Sequence, residues 1–205
     1  MRPGFLQYLS LSVLCAVAVP ACNISNPAPN APVNDAGDFV VSYADQVVTV
    51  LSAGNLTSCG TVFPNCVEAT AQDPACPGDA FAALAAPDGN VFDLAANDRL
   101  VVAFYCSQIL ETGGASSATT DFEIYGALNG GAVGTVEVSS DATNYRTVNL
   151  WVGSGASDGG ITPAGFQLEV AQVTYARYVR ISNTGAGVIR VDAVESLRSL
   201  PRTTQ

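Results

Sequence analysis

The chain has 205 residues and a net charge of −10, with 18 acidic side chains against 8 basic ones; the basic residues are all arginine, and there is no Lys or His. That balance repels a nucleic-acid backbone. The lack of His removes imidazole catalysis and imidazole metal ligation, and the lack of Lys removes Schiff-base chemistry and P-loop phosphate binding. With 48% apolar and 13% charged residues, the chain is too apolar for disorder. Composition therefore points to an acidic folded domain and argues against an enzyme.

Residues 1–21 read as a secretory signal. Arg2 gives a positive start, Leu9 to Val19 an apolar run, and Ala21 a small residue at the cleavage point. Cys22 follows directly and resembles a bacterial lipobox cysteine, the residue that is acylated and becomes the mature N-terminus. Acyl chains there would hold the protein at a membrane without a spanning helix. Plain cleavage, giving a secreted protein, is the alternative. Residues 22–37, with Pro27, Pro29 and Pro32 and no apolar period, read as a tether. The folded domain is expected at 38–198, with a tail at 199–205.

Beyond Cys15 in the signal and Cys22, four cysteines remain: Cys59, Cys66, Cys76 and Cys106. An even number in an exported chain implies two disulfides, with three possible pairings. Zinc is disfavoured because there is no CxxC spacing and no His. Three of the four fall in a Pro-containing, loop-like insertion from Ser52 to Asp79. Cys106 ends an apolar run, so at least one bridge is expected to tie that loop to the sheet.

From Asp38 onward, short apolar blocks alternate with Gly, Asn, Asp and Ser. This pattern predicts strands at Phe39–Tyr43, Gln46–Leu51, Val91–Leu94, Arg99–Tyr105, Asp121–Tyr125, Gly134–Ser139, Arg146–Trp151, Phe166–Val170, Ala176–Ile181 and Val188–Leu197. In the strand 134–139, Val136 and Val138 face one way and Glu137 and Ser139 the other; in the strand 176–181, Arg180 points outward. One helical turn is expected at Asp79–Ala85, capped by Asp79 and stopped by Pro87. With no long amphipathic helix and no βαβ spacing, the class is all-β, a two-layer sandwich. The glycine-rich stretches Glu111–Thr120 and Gly153–Gly165 are expected as rim loops, where binding residues concentrate.

The order of Asp88-Gly89-Asn90, the strand Arg99–Tyr105, the segment Asp121–Tyr125, "VEVSSD" (136–141), "ARYVRI" (176–181) and "VDAVE" (191–195) resembles the galactose-binding-like (discoidin-type) jelly roll of bacterial cell-surface proteins. The resemblance spans roughly residues 38–197. It implies a jelly-roll β-sandwich, here with a Cys-rich insertion. It also implies a structural calcium ion between the Asp-Gly-Asn loop and an acidic residue of the last strand. The matching residues are Asp88, Asn90 and Glu195, with Asp93 or Asp192 as further oxygen donors.

Two other groupings carry chemistry. Asp121 and Glu123, two residues apart, form a carboxylate pair of the kind used in glycoside hydrolysis. The same spacing arises on any solvated strand face, and nothing nearby is built to raise a pKa. Trp151, Tyr125 and Arg146 supply the aromatic and donor types that sugar sites use, although a lone Trp is more often a core or sheet-edge aromatic. The expectation is a non-catalytic, envelope-anchored module recognising glycan or another surface component. The alternative is a structural or assembly protein packing against protein partners.

Overall fold

In a computed structural model, the structure describes residues 40–59, 76–84, 86–111, 119–153 and 160–201. The signal, the tether, Cys22 and Cys66 lie outside the described residues. Among the described residues there are thirteen strands: β1 (Val40–Tyr43), β2 (Gln46–Ser52), β3 (Asn55–Ser58), β4 (Phe92–Leu94), β5 (Arg99–Ala103), β6 (Ser107–Leu110), β7 (Phe122–Asn129), β8 (Gly134–Ser139), β9 (Arg146–Trp151), β10 (Thr162–Phe166), β11 (Tyr175–Ala176), β12 (Tyr178–Asn183) and β13 (Val188–Pro201). They form two antiparallel sheets, a jelly-roll sandwich. One sheet runs β10-β7-β13-β6-β11, with β1 and β4 also paired to β13; the other runs β3-β2-β5-β12-β8-β9.

Period-two alternation explains the core. Val136, Val138, Val179, Ile181, Leu100 and Val102 are fully buried on the inner face of the six-stranded sheet. Phe122, Ile124, Ile189, Val191 and Val194 meet them from the other sheet. The rings of Phe122 and Phe166 stack with centroids 5.3 Å apart, adding directional packing to apolar burial.

The chain passes between the sheets at two places joined by one carboxylate. Asp45 lies between β1 and β2, and the 104–106 turn between β5 and β6. The carboxylate of Asp45 accepts the backbone N–H groups of Tyr105 (2.7 Å) and Cys106 (2.9 Å). This turn divides the sequence-expected strand Arg99–Tyr105, which stops at Ala103 before the chain resumes as β6 in the other sheet.

Other expectations are corrected by local chemistry. The expected strand Phe166–Val170 is the end of β10 followed by a 3-10 helix, Leu168–Ala171. Asp121 sets this bend: its carboxylate accepts the Leu168 N–H at 2.7 Å and its own N–H donates to the Phe166 carbonyl. The expected turn at Asp79–Ala85 is a 3-10 helix, Gly78–Ala83, preceded by Pro77 and without a side-chain cap, so Asp79 lies in its first turn and does not cap it. β3 closes a hairpin through Ala53 (φ 50°) and Gly54 (φ 80°), the left-handed pair that tight hairpins require. Asp98 accepts the Ala53 N–H and Ser52 hydroxyl and holds that turn.

Of the cysteines, Cys59 and Cys76 are joined in a disulfide across the insertion. Both sulfur-bearing residues are buried against the core.

Candidate functional site: the outer face of the six-stranded sheet

Alternation that buries Val179 and Ile181 turns Tyr178 and Arg180 outward, and the alternation that buries Val136 and Val138 turns Glu137 outward. Register then does what the sequence pattern alone does not show. Arg180 lies directly across from Glu137 on one side and Val101 on the other, and Tyr178 lies between Ser139 and Ala103. The Arg180 Nε and Nη2 each donate to a Glu137 carboxylate oxygen at 2.6 Å, a two-pronged pair in a half-buried setting. The guanidinium also stacks on the Tyr145 ring, 3.9 Å from its centroid.

Tyr145 sits in the turn between β8 and β9. Asp141 ties that turn by accepting the Ser139 hydroxyl, the Thr143 and Asn144 N–H groups and the Asn144 side-chain amide. These bonds hold the Asp141 carboxyl well below the usual carboxylate range. Burial pushes the Tyr145 phenol up, while the positive charges of Arg180 and Arg99 oppose the rise. Arg99 is on the same outer face, two pairs along from Val101 and opposite Ser182. The result is an aromatic and guanidinium platform, with Arg99, Glu137, Tyr178 and Arg180 on strands and Tyr145 on the tied turn beside them. Each member offers an apolar face or hydrogen-bonding groups for a polar ligand.

The structure does not bring together the residues expected to bind ligand. Trp151 is 7% exposed and belongs to the core. Its indole lies against Gly126 and Gly134, where an added β-carbon would collide with it. The missing side chains of two glycines make the room for the ring, so it is packing material and not a platform. Tyr125 projects from the opposite face of its sheet, away from the core, and donates its hydroxyl to Glu195 at 2.8 Å. Arg146, at the far end of β9, reaches the carbonyls of Ala171 and Gln172 at 3.4 Å each.

The residues expected to hold calcium do not fit a cation as arranged. A cation needs oxygens turned toward it. Here the loop turns its N–H groups inward, Asp88 N and Gly89 N donating to the two carboxylate oxygens of buried Asp192 at 3.2 and 3.1 Å. Asp192 is at the register shift of β13 between Val191 and Ala193, and that bulge aims its side chain at the loop. The Asp88 carboxylate accepts the backbone N–H and side-chain amide of Asn90, both at 2.8 Å, which holds its pKa down. Glu195 is engaged elsewhere, with Tyr125 and with Tyr43 across the β1–β13 pair. Asp93 lies 3.6 Å from Arg190. Among the described residues, no group of three or more Cys, Asp or Glu side chains is placed to hold a metal ion.

The carboxylate pair is also rearranged. Asp121 is 2% exposed and committed to the Leu168 N–H. Glu123 faces Glu195 across β7 and β13 instead.

No family model matches the chain, and no curated protein does. Among solved structures, the chain is similar to two modules, CBM32-3 and CBM32-1, from a family 31 glycoside hydrolase from Clostridium perfringens. The first is 13% identical with a TM-score of 0.40, over 59% of this chain and 84% of that one. The second is 14% identical with a TM-score of 0.41, over 61% and 87%.

Proposed function

We propose that this protein is a non-catalytic glycan-binding module that recognises sugar on the outer face of its six-stranded sheet. The observation that carries the reading is the Tyr145 ring stacked on Arg180 while Arg180 is forked onto Glu137. An aromatic face fixed in place accepts the apolar side of a sugar ring. A guanidinium and carboxylate fixed beside it accept and donate to hydroxyls. Arg180 and Glu137 sit on strands and the Asp141 hydrogen bonds tie the turn that carries Tyr145, so little is lost in ordering them on binding. The test is affinity electrophoresis of the folded protein against a panel of soluble polysaccharides. Retardation abolished by Tyr145→Ala, with thermal melting preserved, supports the reading; no retardation by any polysaccharide removes it.

We further propose display at a bacterial envelope through acylation of Cys22, on the strength of the sequence around it. Mass spectrometry of the mature N-terminus tests this. A diacylated or triacylated Cys22 supports anchoring, and an unmodified terminus places the protein among secreted ones.

The second reading, assembly against a protein partner, draws on Leu150 of the edge strand β9 and Val152 just beyond its end, which are 52% and 64% exposed. Crosslinking in whole envelopes separates it from the first by finding a protein neighbour.

A further inference from the structure

Charge is divided between the two sheets. The chain as a whole is strongly acidic, yet the strands of the six-stranded sheet hold Arg99, Arg146 and Arg180 against the single carboxylate Glu137. The other sheet has the reverse balance, with Asp93, Glu123, Asp192 and Glu195 against Arg190 and Arg198. Of the three cations on the six-stranded sheet, Arg180 is neutralised by Glu137 and Arg146 is turned to the carbonyls beyond the 3-10 helix. Arg99 is different. Among the described residues no carboxylate lies within 4 Å of its guanidinium, and its Nε is buried without a hydrogen-bond partner. The buried Nε is out of a ligand's reach, as is that of Arg177; what faces outward is a half-buried guanidinium whose charge no carboxylate compensates. It lies beside the Tyr145 platform, close enough to act on the Tyr145 phenol.

We propose that the glycan recognised here is acidic, a uronate-bearing polysaccharide whose carboxylate is received by Arg99 while its ring lies on Tyr145. This rests on the platform reading given above and specifies its ligand class. The planar guanidinium fork matches a carboxylate. The other sheet carries the larger share of strand carboxylates and disfavours such polymers, which makes the charge division a device for orienting the ligand.

The experiment compares polygalacturonate with its fully methyl-esterified form, which keeps the backbone and removes the charge, and alginate with neutral galactan. Affinity is measured at low and high salt. The expected result is binding of the acidic polymers at least about tenfold tighter than of the neutral ones, weakening as salt rises. Arg99→Ala removes that preference, Arg99→Lys restores part of it, and Glu123→Gln on the opposite sheet changes nothing. Circular dichroism checks that each variant is folded. Equal affinity for charged and neutral polymers, lost on Tyr145→Ala, overturns the acidic preference and leaves the platform standing. Binding of none of the four overturns both. Acidic preference that survives Arg99→Ala in a folded protein overturns the assignment to Arg99.

Discussion

Trp151 stands directly over Gly126: a β-carbon at position 126 would sit 2.6 Å from Cη2 of the indole and would also strike the Arg190 carbonyl. The ring bridges the end of β9 in one sheet to the middle of β7 in the other, so its removal opens a cavity between the layers. Trp151→Ala is expected to cost about 3–5 kcal/mol. Gly126→Ala is expected to cost at least about 1–3 kcal/mol by overpacking. Urea denaturation measures both. A Trp151→Ala protein of unchanged stability that had lost sugar binding would return Trp151 to the ligand site.

How legible this was depends on which physical rule decides each element. Alternation in 134–139 and 178–183 is visible in the sequence because one face of each strand is buried, so those strands and their outward residues were readable. The pairing of Arg180 with Glu137 was not, because register depends on long-range contacts between strands 43 residues apart. The outer sites of "VEVSSD" and "ARYVRI" held the signal; only the matching of one to the other was missing. β3 escaped because its residues are mostly exposed and carry no apolar pattern. The 3-10 helix after β10 escaped because a distant carboxylate, Asp121, bends the chain there. Trp151 was readable either as a core aromatic or as a ligand platform, and the glycines that admit its ring, Gly126 and Gly134, decide for the core.

The Asp192 carboxylate takes the place that the family resemblance gives to a cation. Substitution by Asn keeps the shape but leaves one loop N–H facing an amide that cannot accept from both. Asp192→Asn is expected to lower stability by about 1–3 kcal/mol, read as a lower Tm. Millimolar calcium or chelator is expected to leave the Tm of the unsubstituted protein where it is. A Tm that rises with calcium would show that the loop reorganises to present oxygens.

The bridge between Cys59 and Cys76 closes a loop with a sequence separation of 17. A loop of that length is expected to contribute about 3 kcal/mol, chiefly through the unfolded chain. Peptide mapping without reductant is expected to recover the 59–76 pair. Reduction is expected to lower the denaturation midpoint. A map that joins Cys59 to any other cysteine would contradict the arrangement described here.

Tyrosines on the other sheet give a pH signature with a definite sign. Burial, reinforced by the charge of Glu195 and a hydrogen bond to it, pushes the Tyr43 phenol up to about 12; burial and the same carboxylate raise Tyr125 as well. In the unfolded chain these phenols lose their protons near pH 10. Between pH 10 and 12 the unfolded state therefore binds fewer protons than the folded one, and stability falls as pH rises through that window, whereas below pH 10 the contribution is fully present. Ultraviolet titration of tyrosinate is expected to show a late-ionising fraction that shrinks in Tyr43→Phe and again in Tyr125→Phe. Glu195→Gln removes the charge that both phenols face, so it is expected to move that fraction toward ordinary values. If all tyrosines of the folded protein titrate together near pH 10, the hydrogen-bonded cluster of Tyr43, Tyr125 and Glu195 does not exist in solution.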